Sequence, residues 1–410
     1  MKVAMVNYSD INGGAARAAY RIHHALQGSD VDSTMLVNQA LAGDSSVKGP
    51  VGRFAKASVI IRTQLGALLA HSLQTSNPII HSPAVLPSCR PKLINQSDVD
   101  LVHLHWVNGE MLSIADIGRI EKPVVWTLHD MWAFCGAEHV AEDFRWRDGY
   151  HRNNRPVHES GFDLNRWTWR RKHQSWKKPQ QIVTPSTWLA RCVRESELMS
   201  EWPVAVIPNA LNMDQWQPVD KILARELLGL PCEGPLVLFG AMGGASAHHK
   251  GFDLLQSALE QLRGELDGLQ LLVFGQLAPK VVPDLGFPVH YTGHLHDDLT
   301  LRVMYSAADA LVIPSRQDNL PNTGVESLAC GTPVIAFDTC GLPDIVDHQQ
   351  TGYLASAFDT ADLAAGIKWV LNTDNHAQLS VNSRAKAVQY FDSKIVAKKY
   401  VDLYQEVLSQ

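Results

Sequence analysis

Short apolar runs that alternate with longer stretches of helical spacing constrain this chain most. A run of about four to eight apolar residues without polar alternation fits a strand buried on both faces, and parallel strands of that kind need helical crossovers between them. The first half offers Lys2 to Val6, Leu101 to Trp106, Val124 to Leu128 and Gln181 to Thr184 as strands. The second half offers Leu236 to Phe239, Leu269 to Phe274, Val289 to Thr292, Ala310 to Pro314 and Pro333 to Phe337. Each set suffices for its own doubly wound α/β domain. With 410 residues the chain exceeds what one core accommodates, so two Rossmann-like domains are expected, 1–212 and 213–392. The stretch from Val204 to Asp214 ends the first set, and Gln217-Pro218 punctuates the chain before a new helix begins near Asp220. Val396, Tyr400, Leu403, Tyr404 and Val407 recur at helical spacing, so 393–410 is expected to be a closing helix seeking a surface to cover, with the first domain as one candidate.

Composition narrows the function classes. At 45% hydrophobic and 19% charged residues the chain can bury a core and is not a disordered one. A net charge of -6 supplies no Lys/Arg surplus to neutralise phosphates, so no nucleic acid partner is expected. Cys89, Cys135, Cys192, Cys232, Cys330 and Cys340 form neither a CxxC pair nor a metal-ligand spacing, which fits reduced thiols in the cytoplasm. The start reaches Ser9-Asp10 too soon for the apolar core of a signal peptide. The apolar stretch from Val59 to Leu73 is interrupted by Arg62, Gln64 and His71, so any membrane contact would be peripheral.

Several strings carry chemistry. Asn12-Gly13-Gly14-Ala15-Ala16-Arg17 follows the first strand and opens a helix whose free N–H groups can face an anion; it is not a GxGxxG fingerprint, so no nicotinamide cofactor is indicated. Thr127-Leu128-His129-Asp130 stands at the carboxyl end of a strand, where open α/β sheets place ligands, and His129 can donate a hydrogen bond or shuttle a proton. His103 and His105 alternate with apolar residues on a strand and read as core or cleft-lining. The longest string runs from Pro314 to Ala336: a loop carries Asp318, a short helix starts at Asn322 or Thr323, and Gly331 ends it. Glu326 then falls in the first turn, where the helix end can hold a pyrophosphate while the carboxylate accepts from ribose hydroxyls. Finally, the small-residue loop from Phe239 to Gly251 delivers Lys250 ahead of an apolar helix, a cation for a diphosphate leaving group.

Taken together these strings resemble the retaining glycosyltransferases of the GT-B fold, family 4, and within it the bacterial exopolysaccharide and O-antigen enzymes. The resemblance spans nearly the whole chain and is most specific at Asp318 to Glu326, two acids separated by seven residues, followed by Ala329 to Ala336. It implies two Rossmann-like domains facing across a cleft, a nucleotide diphosphate sugar as donor, and a glycan or lipid-linked saccharide acceptor docked on the first domain. It further implies that Glu326 binds the donor ribose, Asp318 the transferred sugar and Lys250 the diphosphate. His129 would lie near the reacting carbon as a catalytic residue with Asp318. Gly13, Gly14 and Arg17 would lie near the phosphates, with Asn322 and Thr323 at the donor-binding helix start. No cofactor or metal ion is implied, and no DxD-like string is arranged to bind one. Asp318 stands where many members have Glu, and His249 where an arginine often precedes the lysine.

Between Arg145 and Lys178 basic residues and tryptophans concentrate, which could touch anionic headgroups at the inner face of the membrane or form a surface helix whose indoles pack inward. Rival functions are a nucleotide-sugar epimerase of GT-B fold and a non-enzymatic two-domain sugar-binding protein.

Overall fold

The apolar runs become parallel strands, each handing its neighbours a full ladder of backbone bonds. In a computed structural model, which describes residues 1–240, 248–280, 283–295 and 297–410, the first sheet contains β1 (Lys2–Val6), β2 (Asp32–Leu36), β3 (Val47–Lys48), β4 (Leu101–Leu104), β5 (Val124–Thr127), β6 (Gln181–Thr184) and β7 (Val204–Val206). Its order is β3-β2-β1-β4-β5-β6-β7. Side chains alternate between two cores. Val102 and Leu104 of β4 join Trp126, Ile182 and Trp132 on one face, while Leu101, Val125 and Val183 join helix α1 (Gly14–Gln27) through Ala19, Ile22 and Leu26 on the other. Helices α2 (Arg53–Ala70) and α3 (Leu164–Ser175) belong to the same unit.

The second sheet contains β8 (Leu236–Gly240), β9 (Gln270–Phe274), β10 (Val289–Gly293), β11 (Ala310–Ile313), β12 (Val334–Phe337) and β13 (Gly352–Ala355) in the order β10-β9-β8-β11-β12-β13, again parallel. Leu236 and Leu238 pack with Tyr305 and Leu328, and Val237 and Phe239 with Leu255 and Ile335, so the central strand buries both faces. Helices α4 (Phe252–Gln261) and α5 (Asn322–Ala329) follow β8 and β11.

The chain divides into Met1–Ala210 with Val396–Gln410, and Leu211–Ile395. Helix α6 (Ser393–Ser409) therefore gives most of its length to the first unit, where Val396, Tyr400, Leu403 and Tyr404 are buried against the sheet. The two strand-order reversals, beside β1 and β4 in one unit and β8 and β11 in the other, mark the carboxyl edges where ligands bind in such sheets.

The basic aromatic segment is spent on its own packing. Trp146, Trp169 and Trp176 are buried, and the Arg145 guanidinium meets Glu159 at 2.6 Å. Lys172 of α3 has no exposed surface; its Nζ donates to the carbonyls of Trp132, Cys135 (3.0 Å) and Gly136 (2.7 Å) and sits 3.9 Å from the Trp132 ring centroid. Burial pushes its pKa down to about 7. Among the described residues no helix is long and apolar enough to cross a membrane, and no group of three or more His, Cys, Asp or Glu is arranged to hold a metal ion. All six cysteines are free thiols.

Candidate functional site

In the second unit β11 ends before Pro314 and its loop turns Asp318 inward. The Asp318 carboxylate accepts from Lys250 Nζ at 2.6 Å and from Ser315 Oγ at 3.2 Å. One glycine makes this meeting possible. Gly251 has φ +68, and a Cβ there would stand 1.9 Å from the Pro314 carbonyl oxygen, so only a residue without a side chain lets the lysine turn pass so close to the β11 exit. A clamp that the sequence did not disclose holds the same turn: Arg316 donates both guanidinium arms to Asp253, at 2.8 and 2.6 Å, and its backbone N–H to His249 O. The small-residue stretch 241–247 ahead of Lys250 lies outside the described residues.

Helix α5 begins at Asn322, as expected, and Cys330 and Gly331 close it. Glu326 is the fifth helical residue, however, so it lies in the second turn rather than the first, and the first turn carries no acid. The first-turn N–H groups therefore belong to Asn322 and Thr323, which are half-buried, and not to Glu326. At a spacing of four, Glu326 shares a helix face with Asn322. Glu326 is 4% exposed and its carboxylate accepts from the Tyr305 hydroxyl at 2.9 Å. Tyr305 is a core residue of the helix before β11, a long-range partner that no local spacing reveals.

In the first unit Gly13 adopts φ 98 just before α1, and no atom of the described residues would meet a Cβ there within 4 Å. The backbone angle, not crowding, selects glycine at this turn. Gly14 is exposed and opens α1; Arg17 is half-buried one turn in, its N–H bonded to Gly13 O.

His129 follows β5 and meets His105, which follows β4: Nε2 and Nδ1 are 3.0 Å apart with the rings stacked at 5.3 Å. Among the described residues, His105 Nε2 is buried with no hydrogen-bond partner. An orphaned lone pair is the cheaper state there, so His105 donates from Nδ1 to His129 Nε2, and His129 carries its own proton on Nδ1. Behind them His103 bonds to Thr127 Oγ1 at 2.7 Å and to the Tyr404 hydroxyl of α6 at 2.6 Å. Burial drives the whole ladder neutral: His103 falls to about 3, His129 to about 4 and His105 well below its ordinary value.

Asp130 points elsewhere. One oxygen accepts from His139 Nδ1 at 2.7 Å and Trp106 Nε1 at 3.0 Å, the other from the N–H of Trp132 at 3.0 Å. Burial pushes this carboxyl up, but His139 and the Trp132 N–H outweigh it and hold it below the usual range. Ser82 Oγ completes the line at 2.8 Å from His139 Nε2, the order of contacts in a serine hydrolase. Ser82 is only 6% exposed and its own N–H and C=O are bonded to Ala137 and Trp132, so no substrate carbonyl reaches it; the line serves to fix Asp130 beside His129.

Two strings have the letters DxD, Asp30-Val31-Asp32 and Asp98-Val99-Asp100. Both lie where β2 and β4 begin, the edge opposite His129, and Asp98 and Asp100 bond to Lys2.

A family model described as "Glycosyltransferase Family 4" matches residues 12–215, and one described as "Glycosyl transferases group 1" matches 236–373. A D-inositol 3-phosphate glycosyltransferase of Xylanimonas cellulosilytica is 27% identical over 332 residues, 75% of this chain and 72% of that protein. A phosphatidyl-myo-inositol mannosyltransferase of Mycobacterium leprae is 27% identical over 331 residues, 80% and 78% of the two chains. Among solved structures, a sucrose-phosphate synthase from Thermosynechococcus elongatus has a TM-score of 0.69 at 18% identity, covering 100% and 99% of the chains. Anabaena Alr3699/HepE in complex with UDP and glucose has a TM-score of 0.65 at 17% identity, covering 99% and 100%. At these identities the structural likeness speaks to the fold.

Proposed function

This chain belongs to the GT-B glycosyltransferases of family 4, and from that premise we propose that it moves a sugar from a nucleotide diphosphate donor to a glycan or lipid-linked saccharide acceptor, with retention of configuration and without a metal ion. The donor belongs to the second unit and the acceptor to the first, in the cytoplasm. The observation that carries the donor half is the 2.6 Å contact of Lys250 with Asp318 at the edge that leads into α5. A cation and an acid meet there, four residues ahead of the start of α5, and together with the helix end they are the set needed to hold a diphosphate and grip the sugar it carries. Asn322 and Thr323 offer the N–H groups of the first turn, and Glu326, oriented by Tyr305, accepts from the ribose. For the first unit we assign Gly13, Gly14 and Arg17 a part in phosphate binding and neutral His129 a hydrogen bond to the transferred sugar.

In the transfer the bond from the anomeric carbon to the phosphate oxygen breaks as the acceptor hydroxyl oxygen bonds to that carbon on the same face. The hydroxyl proton passes to the departing phosphate oxygen, and a nucleoside diphosphate leaves. Cell-surface polysaccharide biosynthesis is the setting this chemistry suits, and inositol phosphates join lipid-linked saccharides as first acceptors to try.

Calorimetric titration with UDP, GDP and ADP, with and without magnesium, tests the reading. One nucleotide should bind in both conditions, and Glu326→Ala should weaken it by at least about tenfold. Equal affinity in the variant, or no binding of any nucleotide, removes the donor assignment.

A further inference from the structure

Helix α2 buries only Gly66 of its 18 residues. It is fastened by polar contacts along its inner edge. Arg62 donates to the carbonyls of Glu110 (3.0 and 2.8 Å), Leu86 (2.6 Å) and Pro87 (2.7 Å), and Thr63 Oγ1 lies 3.1 Å from the Tyr8 hydroxyl and 3.1 Å from Gly109 O. Gly66 admits the Glu110 side chain, whose Cγ would stand 2.5 Å from a Cβ. The apolar side chains are left on the outside: Phe54 is 94% exposed, Ile61 55%, Leu65 47% and Leu68 69%. Steps of seven, four and three residues set these on one stripe of the helix. Arg53 is exposed on its flank, and Lys56 is exposed on the far side of the same first turn. From Ser45 to Ser97 the chain has no Asp or Glu, although its net charge is -6, while Lys48, Arg53, Lys56, Arg62, Arg90 and Lys92 fall in that stretch.

We propose that α2 docks the first unit on an anionic lipid surface, lying in the plane of the headgroups. An apolar stripe flanked by Arg53, on a helix that carries cations and no acid, matches the acyl boundary on one side and lipid phosphates on the other. Segment 145–178, whose indoles at Trp146, Trp169 and Trp176 are buried, offers no comparable stripe. Because α2 is fastened to Tyr8, Gly109 and Glu110, just past β1 and β4, the lipid surface lies at the carboxyl edge of the first sheet, the edge that carries His129. The inference does not depend on the donor reading.

The test is sedimentation of the full chain with sucrose-loaded vesicles of phosphatidylcholine alone or with about a third phosphatidylglycerol. Wild type should pellet with the anionic vesicles, little with the neutral ones, and be released by salt. Ile61→Glu with Leu65→Glu should lower the bound fraction by about tenfold while leaving the melting temperature unchanged, since the stripe is exposed. Arg147→Glu with Arg170→Glu, in the basic aromatic segment, should bind as wild type. No pelleting with anionic vesicles, or equal pelleting of wild type and the α2 variant, overturns the proposal. A light-scattering mass of two copies that falls to one in the α2 variant, without vesicle binding, also overturns it and assigns the stripe to self-association.

Discussion

His129 is a neutral residue, and that decides what it can do. With its pKa near 4 it is uncharged throughout the physiological range, so it serves as a hydrogen-bond donor rather than as a cation or an acid in equilibrium with solvent. His129→Ala should reduce kcat by about a hundredfold while changing nucleotide affinity little, and the wild-type pH–rate profile should show no inflection from it between about pH 6 and 8. An inflection near the ordinary histidine pKa that vanishes in the variant would contradict this assignment. Lys250 is the complementary case. Lys250→Ala should weaken nucleoside diphosphate binding by about tenfold and flatten its salt dependence, read by titration at two ionic strengths. Glu326 shows how local spacing misleads by one turn: the string from Asp318 to Glu326 identifies the helix, but the start at Asn322 puts the acid beyond the first turn and onto Tyr305.

Elements decide which of these residues can meet. Gly251→Ala places a methyl carbon where the Pro314 carbonyl oxygen stands, so the turn that carries Lys250 has to move. Nucleotide binding should be lost even though Lys250, Asp318 and Glu326 remain, and the melting temperature should fall, because the left-handed backbone alone costs about 1 kcal/mol and the collision more. Unchanged binding would mean that the turn does not position the lysine. Strands of continuous apolar residues were legible because burial on both faces leaves no other pattern. β2, with Asp32, Ser33 and Thr34, and β13, opened by Gly352, were not, since their places depend on the neighbours that cover them. The His105–His129 contact was illegible for a related reason: it exists only because β4 and β5 are adjacent in register. Tyr404→Phe, in α6, should cost about 1–3 kcal/mol, because it removes the hydroxyl from a buried histidine nitrogen, measurable by denaturant titration.

At the scale of the whole molecule the buried histidines couple stability to pH. His23 at about 4, His103 at about 3 and His129 at about 4 all belong to the first unit, and each is lowered chiefly by burial. Between those values and about 6.5, the unfolded chain binds protons that the folded one refuses, so stability is fully present above about 6.5 and declines as pH falls toward 4 and 3. Melting temperatures measured down that range should fall for the first unit, and a flat profile would mean that these side chains are not held neutral. The division into two α/β units was readable from chain length and strand sets. The return of the last helix, which its spacing left open, has a consequence for synthesis. The first sheet lacks Val396, Tyr400, Leu403 and Tyr404 until the residues after 395 have been made. At about 5–20 residues per second, the ribosome needs roughly ten to forty seconds to travel from Ala210 to Val396. Throughout that interval the nascent first unit carries an uncovered apolar face, so the usual order, in which an amino-terminal domain matures before the next is translated, is closed to this chain.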